Sequence, residues 1–579
     1  MASCGARPDP IAPPATPPGS EAVPGAGDGS PAGASVFRAG AVYVVLTVLL
    51  TYPLALRLRV MDAGDSAFFA WVMAWEAHAL KADPVRLPQG NMFHPLRYTL
   101  GMDEPVFGTT LLVLPAFLFT DDAVLVFNLA RLLTFVLSAL SAYLLARGLG
   151  AAELPSLLAG AAFAFSPIRT DQIAHLSTLG TQYLPLVLLF VFRFFRLGTA
   201  RDALLAALFF ALEAYACGYH GVVGLLVLPV AVAPLVWGRW GRLPVALLAA
   251  AAAAVGLLPL YLLHHAALAP LHYTRGPEET ARFSAAVESF LATSSWNHVW
   301  GALTAVFRTT YSNNLFPGLV LPASVLAGAV ALRREGRRPS REALALVLLA
   351  VAAAAVALGP EVRFFGHDLG PGPFALARLL PLFRMIRVPS RSGAFIALAV
   401  AMLAAMAWTR WRDRPGRLLL IGAAALAETV IAPIPMPAWM QVVDSRRPPP
   451  PVYTWLAAQP GEPVVAELPM QGVEGILMRP AFHESIYLVY STLHWKPLVN
   501  GYAGIEPLPY LELREALRHF PSEAAIDALR RREVRFVVVH GAGYGPLKWA
   551  RIERNLARPS AALREVARFG GDTVYELMR

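Results

Sequence analysis

Twelve apolar runs dominate this chain, at about 36–57, 106–120, 122–146, 155–167, 176–196, 203–217, 219–237, 244–263, 316–333, 343–359, 392–409 and 416–433. Crossing a hydrocarbon core takes roughly 20 residues of helix, somewhat fewer where a span packs among neighbours. A lipid-embedded segment must satisfy its own backbone N–H and C=O groups, so runs of this kind fold as helices. The composition agrees, with 56% hydrophobic and only 15% charged residues, where a soluble domain carries about a quarter charged. The chain is expected to be an α-helical polytopic membrane protein.

Loop charge then sets the orientation. A formal charge of +10 would suggest a nucleic-acid partner if the basic residues formed a face, but they sit in short loops between apolar runs. No nucleic-acid partner is expected. The loops holding Arg193 to Arg201, Arg239 and Arg242, Arg333 to Arg341, and Arg410 to Arg417 alternate in register, which places all four in the cytoplasm. Counting back from them, twelve crossings conflict with a cytoplasmic N-terminus. The 106–120 run is short, contains Pro115 and is divided from the next run only by Asp121 and Asp122, so it reads as an interfacial or re-entrant helix. About 11 transmembrane helices remain.

This count divides the chain. Residues 1–35, rich in Pro, Ala, Gly and Ser, read as a disordered cytoplasmic tail. Residues 36–440 form the transmembrane domain, with outer loops 58–121, 264–315 and 360–391. Residues 441–451, including four consecutive prolines, form a stiff linker. Residues 452–579 read as an extracytoplasmic α/β domain, with strands at Pro463 to Pro469, Val534 to His540 and Thr573 to Met578 and helices at Tyr510 to Arg518 and Glu523 to Arg532. The two cysteines, Cys4 and Cys217, form no disulfide framework or metal-ligand spacing.

Chemistry is therefore sought on the outer side. The first outer loop runs Gly64-Asp65-Ser66 and then FFAWVMAWEAHAL, with Phe68, Trp71, Trp75 and Ala79 at helical spacing and Glu76 and His78 off that stripe. This predicts an interfacial amphipathic helix with Asp65 at its start, either as an N-terminal cap or as a catalytic carboxylate.

An acidic residue just after the first span, followed by two interfacial helices, resembles the type C (GT-C) glycosyltransferases, membrane enzymes that use polyprenyl-phosphate sugars. The matching segments are GDSAFFAWVMAWEAHAL (64–80), GNMFHP (90–95), DEPVFGTTLLVLPAFLF (103–119) and FNLARLLTFVLSALSAYLLARGLG (127–150). The chain is also similar to the bacterial YfhO-related group through SPIRTDQIAHLSTLG (166–180), LFPGL (315–319), FRMIRVPSR (383–391) and HWKPLVNGYAG (494–504). The resemblance implies a lipid-linked sugar donor, a bacterial inner-membrane location and Asp65 as base or orienter for the acceptor. Many relatives carry two adjacent acidic residues there, whereas this chain has Asp62 three positions earlier, which leaves use of a divalent metal open.

Further candidates follow. Asp103 and Glu104, before Pro105, are either an acidic pair at a helix start or acceptor or metal residues. His175 contacts a donor phosphate or sits in the interface. Arg384, Arg387 and Arg391 gather on the outer side against the positive-inside trend, just before a span starting near Pro389 or Ser390. Guanidinium groups at a helix N-terminus suit a lipid-linked phosphate, and membrane lipid head groups are the other partner they would take. In the C-terminal part, His494, Asn500 and Tyr502 form a polar turn motif. A non-catalytic protein handling lipid or envelope polymer, or a transporter using Glu213 and Glu428 inside spans, is the alternative to a glycosyltransferase.

Overall fold

A computed structural model describes residues 33–309, 313–434, 441–470, 473–474, 479–480, 483–558 and 561–578. The expected tail lies, through residue 32, outside the described residues. Its last three residues instead open the first helix, Gly33–Leu50, because the apolar run that follows lets helix propagate back to Gly33.

Eleven of the twelve runs carry long helices. Six segments are long and apolar enough to cross a membrane among the described residues: Gly33–Leu50, Ala123–Gly148, Leu176–Leu197, Gly218–Val236, Trp240–Leu271 and Pro389–Trp411. Five further helices, Glu153–Ala164, Ala200–Ala216, Val320–Arg334, Arg341–Ala357 and Pro415–Ala427, are 12 to 17 residues long. The 106–120 run forms only the seven-residue helix Phe107–Val113 and a 3-10 turn beginning at Leu114, beside Pro115. Seven residues rise about 10 Å, a third of a hydrocarbon core.

Short polar residues set several helix starts. Asp122 accepts the Leu125 N–H at 3.0 Å, and Thr199 and Ser340 accept from Asp202 and Ala343 at 3.3 and 3.1 Å. Each satisfies an N–H that the helix cannot. Gly393–Trp408 is buried along most of its length and packs against Arg341–Ala357, Val320–Arg334 and Glu153–Ala164, forming the axis of the bundle core.

Residues 451–578 fold around a four-stranded sheet in the order Val464–Leu468, Val534–His540, Asp572–Leu577, Leu563–Phe569; the first pair is parallel and the others antiparallel. The strand Leu563–Phe569 and the helices Pro451–Ala458, His483–Ser491 and Pro546–Leu556 add to the predicted elements. The short strand Val60–Asp62 pairs antiparallel with Val442–Asp444, which brings the chain back from the last long helix to the loop that follows the first.

Asp65–Ala82 departs from the amphipathic expectation. Its supposed polar side is also buried, with Glu76 and Ala77 inside a core shared with Val465, Leu488 and Val537. Glu76 accepts from Thr110 of Phe107–Val113, while the C-terminal segment packs on the side that holds Trp75 and His78. Trp71 Nε1 donates to Asn91 Oδ1 at 2.9 Å, and Asn91 in turn donates to Ser491 Oγ and Lys496 O, both at 3.1 Å. His78 stacks on Trp495 with ring centroids 4.3 Å apart. One core therefore joins Asp65–Ala82 to the sheet.

Candidate functional site

Gly64 carries a φ of 84°, a left-handed conformation that glycine reaches without a Cβ penalty, and it turns the chain from the short strand into Asp65–Ala82. Gly64 donates its N–H to Ser485 Oγ at 2.8 Å. Asp65, the first helical residue, is thereby aimed into a cavity of about 1650 Å³. Its Oδ2 lies 2.8 Å from His175 Nε2, and its Oδ1 accepts from the Tyr502 hydroxyl at 3.0 Å. Burial alone would raise its pKa, but the charge and hydrogen bond of His175, with Tyr502 and Arg391, hold it at about 2.

The same cavity is lined by Asp103, Glu104, His175, Arg384, Arg387, Arg391 and Tyr502. Residues from both ends of the sequence thus meet in one space. Asp62 does not join them: it pairs with Arg131 at 3.6 Å and accepts from Ser66 Oγ at 2.8 Å.

Asp103 and Glu104 do not start a helix, since Phe107–Val113 begins later and takes Val106 as its N-terminal flank. Asp103 accepts the Glu104 N–H at 2.7 Å and the Gly504 N–H, and burial pushes its carboxyl up to about 6. Glu104 accepts the Tyr219 N–H at 2.9 Å, at the start of Gly218–Val236, and its other oxygen lies 3.4 Å from Arg391. A carboxylate at that helix terminus is favoured by the exposed N–H groups there.

The basic wall is wider than the 384–391 cluster. Arg391 stands over the Tyr219 ring at 4.3 Å, and Arg387 over Phe283 at 4.2 Å with its Nε 3.1 Å from Glu279. Arg275 also bonds Glu279, at 2.8 Å, and Arg378 donates to the Arg275 carbonyl at 3.0 Å. Arg384, exposed, donates to the carbonyls of Arg378 and Leu379. Arg275 and Arg378 were not among the sequence candidates. Both lie in loops that loop charge is expected to place outside, so the positive-inside trend marks them as it marks Arg384.

Beyond the polar end, the cavity continues as an apolar groove. Val187, Phe194, Ala207, Leu228, Val232 and Leu257 line it between Leu184–Leu197, Ala200–Ala216, Gly218–Val236 and Leu243–Leu268. One end offers arginines and a carboxylate and the remainder offers hydrocarbon.

Two C-terminal candidates lie outside this lining. Asn500 is buried between strands and helix, accepting the Glu467 N–H at 2.7 Å and donating to the Glu467 carbonyl and to Glu484, both at 2.9 Å. His494 accepts the Lys496 N–H at 3.0 Å and stacks on Tyr453, and burial lowers its pKa to about 3. Only Tyr502 of that motif reaches the cavity. Among the described residues no group of three or more His, Cys, Asp or Glu side chains is placed to hold a metal ion. With both Asp65 oxygens engaged and Asp62 turned to Arg131, these residues do not assemble a donor set for a divalent cation.

The acidic residues inside the bundle have fixed partners. Glu213 is 2.7 Å from His220 Nδ1 and accepts the Tyr183 N–H at 3.2 Å. Glu428 accepts the Leu319 and Val320 N–H groups at 2.9 Å, capping Val320–Arg334.

The fold is similar to that of two solved transferases. It is similar to the arabinofuranosyltransferase AftD from Mycobacteria, at 16% identity over 93% of this chain and 41% of that one, with a TM-score of 0.54. It is also similar to the oligosaccharyltransferase of Archaeoglobus fulgidus, at 13% identity over 88% and 69%, with a TM-score of 0.50. The chain spans less than half the length of AftD. No curated protein matches its sequence. The chain belongs to the family described as "Domain of unknown function (DUF6311)", whose model matches residues 100–427.

Proposed function

We propose that this protein is a membrane glycosyltransferase of the bacterial inner membrane, akin to the YfhO-related group, that transfers a hexosyl or pentosyl unit from a polyprenyl-phosphate donor to an acceptor at the extracytoplasmic face. The observation that carries this reading is the shared cavity, in which Asp65 and the arginines stand at one end of an apolar groove. The donor phosphate would lie against Arg384, Arg387 and Arg391, with Arg275 and Arg378 adding positive charge, and the polyprenyl chain along the groove. Loop charge supports a cytoplasmic N-terminus, eleven spans, and an extracytoplasmic α/β domain from residue 452 onward.

In the transfer, the acceptor hydroxyl attacks the anomeric carbon. The bond from that carbon to the phosphate oxygen breaks and its electron pair leaves on the lipid phosphate, where the arginines offset the developing charge. The hydroxyl proton passes to Asp65 as the new glycosidic bond forms. A carboxylate held at about 2 is a weak base, so its first contributions are to orient the hydroxyl and to place negative charge beside the oxocarbenium-like centre. His175 acts through Asp65 rather than on the phosphate: its imidazole positions the carboxylate and keeps it ionised.

The test is transfer in proteoliposomes supplied with radiolabelled polyprenyl-phosphate hexoses and pentoses and an extract of envelope glycans as acceptor. Wild-type protein should transfer label from at least one donor, and Asp65→Asn should lose transfer while retaining donor binding. Equal transfer by the variant would remove Asp65 from the reaction. Donor binding without transfer by the wild type would favour the non-catalytic lipid-handling reading.

A further inference from the structure

Residues 501–507 cross the cavity wall without regular secondary structure, between Asn500, fixed by Glu467 and Glu484, and the helix Leu508–Leu517. Tyr502, Ala503, Gly504 and Ile505 all line the cavity. The hydrogen bonds described for residues 502–504 end on side chains of the same site. The Tyr502 hydroxyl donates to Asp65, the Gly504 N–H donates to Asp103, and the Gly504 carbonyl accepts from Arg275 at 3.4 Å. Helices and strands elsewhere are held by their own backbone ladders. This segment is held by the groups a substrate would engage.

The bond to Asp65 has a particular chemistry. A neutral hydroxyl donating to Oδ1 at 3.0 Å is the contact that an acceptor hydroxyl would make with the same oxygen. His175 takes the other oxygen, so both are engaged before a ligand arrives. The Tyr502 ring packs on Phe68, 5.7 Å between centroids, and Ile505 is buried beside it.

We propose that residues 501–506 form a strap over the site, latched by the Tyr502 hydroxyl on Asp65 and released when an incoming acceptor hydroxyl takes over that hydrogen bond. The strap thereby couples acceptor arrival to the opening of the cavity wall over Asp65. It rests on the reading that Asp65 is what the acceptor must reach.

Two measurements on the full-length protein in detergent micelles test the strap without reading transfer. In hydrogen–deuterium exchange, Tyr502→Phe should speed exchange of the peptide spanning 500–506 by about tenfold or more, the scale of losing a hydrogen bond to a charged group, with the bundle unchanged. Asp65→Ala should do the same, and the double variant should add little, because both remove one contact. Unchanged exchange in a folded Tyr502→Phe protein, or a rise spread over the whole molecule, would overturn the latch. Maleimide labelling gives a second readout: Ile505→Cys, in a Cys4→Ala, Cys217→Ala background, should label about tenfold faster when Tyr502→Phe is added, and equal rates would count against the strap. If the strap opens as described while Asp65→Asn transfers label as wild type does, the latch stands and Asp65 leaves the reaction; if the strap opens and the wild type transfers no label, the latch stands and the transferase reading fails.

Discussion

His175 Nε2 and Asp65 Oδ2 stand 2.8 Å apart, although 110 positions separate them in sequence. Asp65 titrates at about 2 in the folded protein, below its ordinary 3.8, so this stabilisation is present above pH 3.8 and lost as pH falls through 2. In wild-type protein Asp65 therefore stays ionised throughout the working pH range. His175→Ala removes the strongest lowering influence, so the acid limb of a pH–rate profile should move upward in that variant. A profile identical to wild type would detach His175 from Asp65. Asp65→Asn should lower transfer by about a hundredfold or more, the scale of positioned acid–base groups.

Arg391 and Arg384 should separate stability from binding. Arg391 is largely buried against Glu104, so Arg391→Ala strands a carboxylate and should cost about 3 kcal/mol, read as a lowered Tm. Arg384 is exposed and bonds only carbonyls among the described contacts. Arg384→Ala should leave Tm within a degree or two and weaken polyprenyl-phosphate binding about tenfold. A large Tm loss in the Arg384 variant would make that residue structural.

Asn500 should behave as a structural residue. It satisfies the N–H and C=O of Glu467 and bonds Glu484 inside the C-terminal fold. Asn500→Ala leaves those groups unpaired and should destabilise the protein by about 2 kcal/mol, with polyprenyl-phosphate affinity retained in the folded fraction. Thermal unfolding beside a binding titration distinguishes this from a binding role.

The C-terminal sheet should be alkali-sensitive. His540 Nε2 is 2.9 Å from Glu467 and Nδ1 is 3.0 Å from Asp572; burial opposes its charge, but the two carboxylates raise its pKa to about 9. A raised folded pKa contributes stability that is complete below the unfolded value near 6.5 and is lost as pH rises through 9. Denaturant unfolding monitored on this segment should weaken by on the order of 2 kcal/mol between pH 6.5 and 9.5. His540→Gln should flatten that dependence, and a wild-type slope in the variant would exclude the triad as its source.

Much of the architecture is written along the chain, because helix length and loop charge are local properties. Among the described residues eleven of the twelve apolar runs carry a helix of at least 12 residues, and in the twelfth the α-helix stops at Val113, before Pro115. Asp65 and the 384–391 arginines stand out for local reasons too: the first follows the first apolar run at a helix start, and the others gather in a loop against the positive-inside trend. Amphipathic periodicity misled at Asp65–Ala82, since a stripe of Phe68, Trp71 and Trp75 cannot reveal that the opposite face is covered as well.

What tertiary structure decided is partnership. Which carboxylate meets which donor depends on chain segments hundreds of residues apart packing together, as when Glu104 meets Arg391 and Asp65 meets the Tyr502 hydroxyl. Asp103 reads in sequence as a helix-start acid and Asn500 and His494 as part of a polar turn, yet the first meets Gly504 at the cavity and the other two are held inside the C-terminal fold. A sequence sets the cost of burying each group through its chemistry. Only the folded chain brings the partner that offsets that cost, because the hydrogen bond or ion pair exists at a distance of about 3 Å and nowhere else.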